Sequence, residues 1–176
     1  EWKWDGIRGQ VIRRNNNFFV WSRGEELMTD KFPEFHPLTH QLPDGTVLDG
    51  EIMPFADSRA LPFALLQTRI GRKNITKKHL QDAPVAFIAY DILEHKGSDI
   101  RDTPLELRRV LLEEIVRTVS LPVLNASPVI GFNNWDELTQ SRSTARDINS
   151  EGIMLKRKNS AYGVGRKRGD WWKWKI

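Results

Sequence analysis

Glu1-Trp2-Lys3-Trp4-Asp5-Gly6 and Trp171-Trp172-Lys173-Trp174-Lys175 lie at opposite ends of the 176-residue sequence, and both alternate charged with aromatic side chains. At the two-residue period of a strand, Glu1, Lys3 and Asp5 share one face, and Trp2 and Trp4 take the other. The same period puts Lys173 and Lys175 together, with Trp172 and Trp174 directed away from them. These are strands that offer charge either to a site or to water. Working inward from the first, residues 7–13 and 17–22 are apolar-rich runs separated by asparagines that tolerate turn conformations, which predicts a hairpin. Residues 33–42 read as a short helix. Pro43-Asp44-Gly45 then turns the chain into a strand over 46–53.

In the middle of the sequence, residues 61–70 and 76–82 read as helices, the second with Thr76 as N-cap. Residues 85–93 are apolar almost throughout and rich in strand formers, as expected of a central strand covered on both faces. Residues 104–118 begin with Pro104 and repeat Leu107, Val110, Leu111 and Ile115 at helical spacing. A further helix is expected over 134–147, and closing strands over 151–158 and 170–176. No internal repeat, low-complexity tract or linker divides the chain, so one unit over 1–176 is expected.

Composition excludes several classes. Hydrophobic residues are 39% and charged residues 28%, which favours neither disorder nor a membrane protein. No apolar run approaches the roughly 20 residues that span a bilayer, and Glu1 opens into charged, Trp-rich sequence rather than a signal peptide. A soluble intracellular protein is the default expectation. Without cysteine there is no disulfide and no thiolate metal site. His36 and His40 have helical i, i+4 spacing but lack the acid between them that a HExxH zinc site requires. There is no Gly-x-x-x-x-Gly-Lys phosphate loop. The net charge of +4 is uneven: residues 151–176 hold eight Lys or Arg against Glu151 and Asp170, so the remaining residues are slightly acidic. A basic end on a near-neutral body suits a polyanion lying on one face, although a solvated strand and loop would have the same composition.

Lys3-Trp4-Asp5-Gly6 fits Lys-x-Asp-Gly, a match that chance supplies in roughly one chain in twenty-five of this length at ordinary residue frequencies. Further blocks make it specific: Ser22-Arg23-Gly24, Asp49-Gly50-Glu51, Phe87-Ile88-Ala89-Tyr90-Asp91, Glu151-Gly152-Ile153-Met154-Leu155-Lys156 and Trp172-Lys173-Trp174-Lys175. In this order they resemble the covalent nucleotidyltransferase superfamily along the whole chain. The extended opening Glu1-x-Lys3-x-Asp5-Gly6-x-Arg8 resembles the adenylation domain of ATP-dependent DNA ligases. An RNA ligase or an mRNA-capping-type nucleotidyltransferase is the alternative within the superfamily, and a catalytically silent DNA-binding fragment the alternative outside it.

The resemblance implies an α/β (α+β) fold of antiparallel sheets flanked by helices, ATP-grasp-like, with the nucleotide in a cleft between sheets. It implies ATP and Mg²⁺, nicked double-stranded DNA as partner and no membrane. The protein would be a monomer, cytoplasmic or nucleoid-associated in a bacterium or archaeon and nuclear in a eukaryote. It further implies an excised part of a longer enzyme, whose OB-fold domain and any N-terminal DNA-binding domain lie outside this chain.

Lys3 would attack the α-phosphate of ATP. An ordinary lysine, with a pKa near 10.4, is about 99.9% protonated at neutral pH, and lowering that value to near 7 takes roughly 4–5 kcal/mol. Nearby cations and burial can supply it, and Lys173 and Lys175 are the expected cations, serving the triphosphate as well. A half-buried edge strand would show the same Trp-Lys alternation. Asp5 is expected to hydrogen-bond and orient the amine. Glu51 and Glu151 are the candidate Mg²⁺ ligands, with a ribose contact open for Glu51. By the resemblance, Tyr90 takes the position of the aromatic that stacks on adenine, commonly phenylalanine. Glu1 lies near the adenine amino group, favouring ATP over GTP, and Trp2 belongs to the same nucleotide site. Arg8 and Arg23 are assigned to phosphate and ribose, where a guanidinium pairs two hydrogen bonds. The loop over residues 157–168, with five Lys or Arg, is expected along the DNA backbone, led by Arg166, Lys167 and Arg168.

Overall fold

The computed structural model describes residues 1–176. In chain order the elements are β1 (Trp2–Trp4), β2 (Ile7–Arg14), β3 (Asn17–Ser22), α1 (Leu38–Gln41), β4 (Thr46–Ala56), β5 (Arg59–Ala60), α2 (Phe63–Ile70), α3 (Lys77–Asp82), β6 (Val85–His95), β7 (Ser98–Asp99), α4 (Leu105–Val119), β8 (Leu124–Ala126), α5 (Trp135–Ser143), β9 (Ser150–Lys156) and β10 (Trp171–Lys175). They form an α+β fold of two sheets flanked by helices. The larger sheet has the order β3-β2-β4-β6-β7, with β5 on β4 and β8 on β6, and the smaller is β1-β9-β10.

The β2–β3 hairpin turns at Asn15 and Asn16, both at positive φ (52° and 61°), the geometry a two-residue hairpin turn requires. β6 is buried on both faces. Phe87, Ala89 and Ile92 join the main core with Val11, Val20, Phe35, Leu48, Leu66 and Leu112, while Ala86 and Ile88 join Met53 in a second cluster that Trp4 of the smaller sheet packs against. Trp4 also donates from its ring nitrogen to Ser127 Oγ (3.0 Å), tying β1 to the segment after β8. Thr76 caps α3 as expected, in a reciprocal box completed by the His79 ring. No helix is long and apolar enough to cross a membrane.

Four details differ from expectation. The expected helix over 33–42 is a 3-10 turn (Pro33–Phe35) followed by α1, because Pro37 lies between them and has no N–H to donate. The helix expected over 134–147 stops at Ser143 and tightens into a 3-10 turn (Ala145–Ile148). The sheets are not wholly antiparallel: β6 and β8 pair in parallel, α4 supplying the crossover that parallel neighbours require. The buried face of α4 is Leu105, Arg108, Leu112, Ile115 and Val119, whereas Leu107 and Val110 are exposed. Arg108 accounts for this last shift. Its guanidinium is fully buried against Asp91 of β6 (Nε–Oδ1 2.8 Å, Nη2–Oδ2 3.1 Å), so a charged residue occupies the inward face that hydropathy assigned to its neighbours.

Candidate active site

The smaller sheet positions Lys3 through an irregularity. Trp2 registers with Ile153 and Trp4 with Ser150, so Lys3 alone faces two residues, Glu151 and Gly152. Such a bulge re-aims a side chain. Here it accompanies contact between the Glu151 carboxylate and the Lys3 amine, with Lys175 Nζ 3.2 Å from the same oxygen. Gly152 is required at the bulge: its φ is +141°, and a Cβ there would lie 2.3 Å from the Trp174 carbonyl oxygen. Gly6 is confined as well, since a Cβ would lie 2.4 Å from the Ile52 carbonyl oxygen, and this close approach brings β4 with Glu51 alongside the start of β2.

Of the two cations expected around Lys3, Lys175 is close and Lys173 is not. The Lys3 side chain is 18% exposed, and its nearest partner is a carboxylate that it shares with Lys175. Both amines therefore converge on one carboxylate oxygen. Lys173 registers opposite Met154 and is exposed, outside this cluster. Glu151, rather than Asp5, contacts the amine. Asp5 lies near enough to feel both groups. Burial raises its pKa, the Glu151 charge adds to the rise, and Lys3 opposes it. Glu51 is pushed up to about 8 by burial, with Lys3 and Arg8 pulling the other way. Glu151 is held below the ordinary carboxylate range, because its hydrogen bonds to Lys3 and Lys175 outweigh its partial burial.

A second group surrounds Tyr90. Lys156 places its ammonium 4.6 Å from the Tyr90 ring centroid and 4.2 Å from that of Trp171, while bonding the Glu1 carboxylate. The Arg8 guanidinium lies 5.9 Å from the Tyr90 centroid on its way to Asp49, which it meets at 2.8 Å. Glu1 is also bonded by Arg109 of α4 (3.1 Å). Trp2 is half-buried opposite Ile153.

A third group is basic. An open cavity of about 1010 Å³ is lined by Arg8, Trp21, Arg23, Tyr162 and Arg166 among others, whereas a smaller one of about 540 Å³ borders Asp5, Glu151 and Lys175. Lys3 lines neither cavity. Tyr162 donates to Asp49 Oδ2 (2.7 Å), which anchors the basic loop beside Arg8, and Arg166, Lys167 and Arg168 are exposed beyond it.

Sequence reasoning missed Lys156, Arg109, Asp49 and Tyr162. Lys156 and Asp49 lie inside recognised blocks, so their position was visible although their contacts were not. Arg109 and Tyr162 gave no local indication, because both act through partners more than a hundred residues away.

Among known proteins, a probable DNA ligase of Koribacter versatilis is 31% identical over 98% of this chain and 34% of its own length. The ligase domain of LigD from M. tuberculosis superimposes with a TM-score of 0.76 at 28% identity, covering 97% of this chain and 52% of that one. A mycobacterial DNA ligase D complexed with ATP and MES gives a TM-score of 0.75 at 28% identity over the same shares. The chain thus spans about a third of the length of that curated relative and about half of the solved ones. Residues 1–175 match the ATP dependent DNA ligase domain, and the chain belongs to that family.

Proposed function

We propose that this chain is the adenylating part of a longer ATP-dependent DNA ligase, with ATP bound between its two sheets in an ATP-grasp-like cleft. Lys3 Nζ, having lost a proton, attacks the α-phosphorus of ATP. A phosphorus–nitrogen bond forms, the bond to the β-phosphate oxygen breaks, and pyrophosphate leaves. The AMP then passes to the 5′-phosphate of a nick in double-stranded DNA, releasing Lys3, and the 3′-hydroxyl displaces AMP to close the strand. The observation that carries this reading is the bulge that sets Lys3 against Glu151, with Lys175 on the same carboxylate and Glu51 alongside.

In this reading Lys3 is the nucleophile, and Lys175 and Lys173 neutralise charge as pyrophosphate departs. Asp5 acts electrostatically on the Lys3–Glu151 pair, Tyr90 stacks on the base, and Arg8 and Arg23 take phosphate and ribose. No cluster of three or more metal-binding side chains exists. The Glu51 and Glu151 oxygens nevertheless fit Mg²⁺, which takes hard oxygen donors and commonly only one or two carboxylates beside substrate phosphates. Bound there, the ion would neutralise phosphate charge. Exposed Arg166, Lys167 and Arg168 lie along the DNA backbone. The working enzyme is a monomer in contact with DNA, in the cytoplasm or nucleoid, or in the nucleus of a eukaryote, and is completed by an OB-fold domain.

Incubation with ATP and Mg²⁺ followed by intact-mass measurement tests the first step. One AMP gained, and lost in Lys3→Ala, is the expected result; an unchanged mass, or an adduct that survives Lys3→Ala, refutes the assignment.

A further inference from the structure

Tyr162 comes from the loop between β9 and β10, 154 positions from Arg8 in sequence, and its hydroxyl closes a triangle with Arg8 and Asp49. The hydroxyl donates its one proton to Asp49 Oδ2 (2.7 Å) and accepts from Arg8 Nη2 (3.2 Å), which also donates to Asp49 Oδ2 (2.8 Å). Burial, reinforced by the Asp49 charge, raises the Tyr162 phenol above its usual range, so the hydroxyl keeps the proton it donates. Asp49 by itself holds Arg8 unevenly. Its bond to Nε is long at 3.4 Å, and a guanidinium held chiefly at one nitrogen can swing about that point. The Tyr162 oxygen is a second fixed point on Nη2. Tyr162 is secured independently of Arg8: its backbone N–H donates to the Arg101 carbonyl (2.7 Å), and its ring meets Trp171 edge-on at 6.2 Å.

What these bonds leave over matters most. A guanidinium has five N–H donors. Asp49 and Tyr162 take both protons of Nη2, and Asp49 takes the one on Nε, whereas Nη1 makes no hydrogen bond within the protein. The Arg8 side chain is 37% exposed, registers opposite Glu51 and borders the Tyr90 ring, so its unused edge lies among the groups assigned to the nucleotide. We infer that Tyr162 is a positioning residue: its hydroxyl holds Arg8 in the rotation that keeps Nη1 free to donate to a ribose or phosphate oxygen of ATP. The inference rests on the adenylation reading above. Tyr162 touches no substrate and acts through Arg8. Without the hydroxyl, one Nη2 proton has no protein acceptor, and the guanidinium turns to find one, which withdraws Nη1.

The test follows AMP-adduct formation by the full chain across ATP concentrations, which yields a maximal rate and a half-saturating concentration. Tyr162→Phe keeps the ring against Trp171 and removes only the hydroxyl. It should raise the half-saturating ATP concentration about three- to tenfold, the equivalent of one hydrogen bond, and leave the maximal rate nearly unchanged. Arg8→Lys, which keeps a charge against Asp49 but has no Nη1 to present, should lose about tenfold or more. Adding Tyr162→Phe to Arg8→Lys should cost less than a further twofold. An unchanged ATP dependence in Tyr162→Phe overturns the inference, and so does the same proportional loss in both backgrounds, which is what general loosening of the loop would produce. Should Arg8→Lys fail to fold, Tyr162→Phe decides: a raised half-saturating concentration supports the inference, and a fall in maximal rate alone contradicts it. Arg8→Lys without effect would remove the Arg8 assignment and the inference with it, and an adduct that survives Lys3→Ala would undo the underlying site. Both are distinct from a silent Tyr162→Phe.

Discussion

Glu51 shows how a single side chain couples the site to pH. Burial raises its pKa to about 8, far above the value near 4.3 of a free glutamate. Between those values the folded chain holds a proton that the unfolded chain has released. Stability therefore declines as pH rises through that window and levels off above about 8. Thermal unfolding between pH 5 and 8.5 should show this decline in the unmodified protein and a flatter profile in Glu51→Gln; parallel profiles would mean that Glu51 is not protonated in the fold. The same proton must leave before the carboxylate can bind a cation. The Lys3 amine, by contrast, is tied directly to a carboxylate, that of Glu151, which it shares with Lys175.

At the scale of elements, α4 and β6 are joined by a fully buried ion pair. Arg108 satisfies Asp91 through two bonds and donates to the Ser160 carbonyl (3.0 Å), so this helix also anchors the segment leading to the basic loop. Removing the cation leaves a buried carboxylate without its counter-charge. Arg108→Met should cost about 3–5 kcal/mol in urea denaturation, and adding Asp91→Asn should recover part of it. A cost below about 1 kcal/mol would mean that solvent reaches Asp91. This pair also shows where sequence reading ends. Most elements were legible, since the Asn15-Asn16 turn, the Thr76 cap and the apolar run of β6 each depend on residues close together in the chain. The inward face of α4 was not, because a charge goes inward only when a distant strand supplies its partner. The β9 bulge was invisible for a related reason: register between β1 and β9 joins residues about 150 positions apart. The blocks located Lys3, Glu51, Tyr90 and Glu151, but neither the contact of Lys3 with Glu151 nor that of Glu1 with Lys156.

Over the whole molecule, charge and architecture agree. The basic segment folds back from β9 along the larger sheet, where Tyr162 fixes it to Asp49 and Arg166 faces the same open cavity as Arg8 and Arg23. If DNA lies there, replacing Arg166, Lys167 and Arg168 together by alanine should weaken binding to nicked duplex. It should also flatten the dependence of log K on log salt by up to about three contacts' worth. Unchanged affinity and slope would place the DNA elsewhere. The two sheets meet where Trp4 packs on Met53 and Ile88, which keeps β1 in a fixed relation to β4 and β6. The claim on which the rest depends is that one amine of the smaller sheet accepts the nucleotide. Peptide mapping by tandem mass spectrometry after incubation with ATP and Mg²⁺ tests it most directly: AMP on Lys3 alone is the predicted result, and AMP on any other lysine, or on none, would contradict the account.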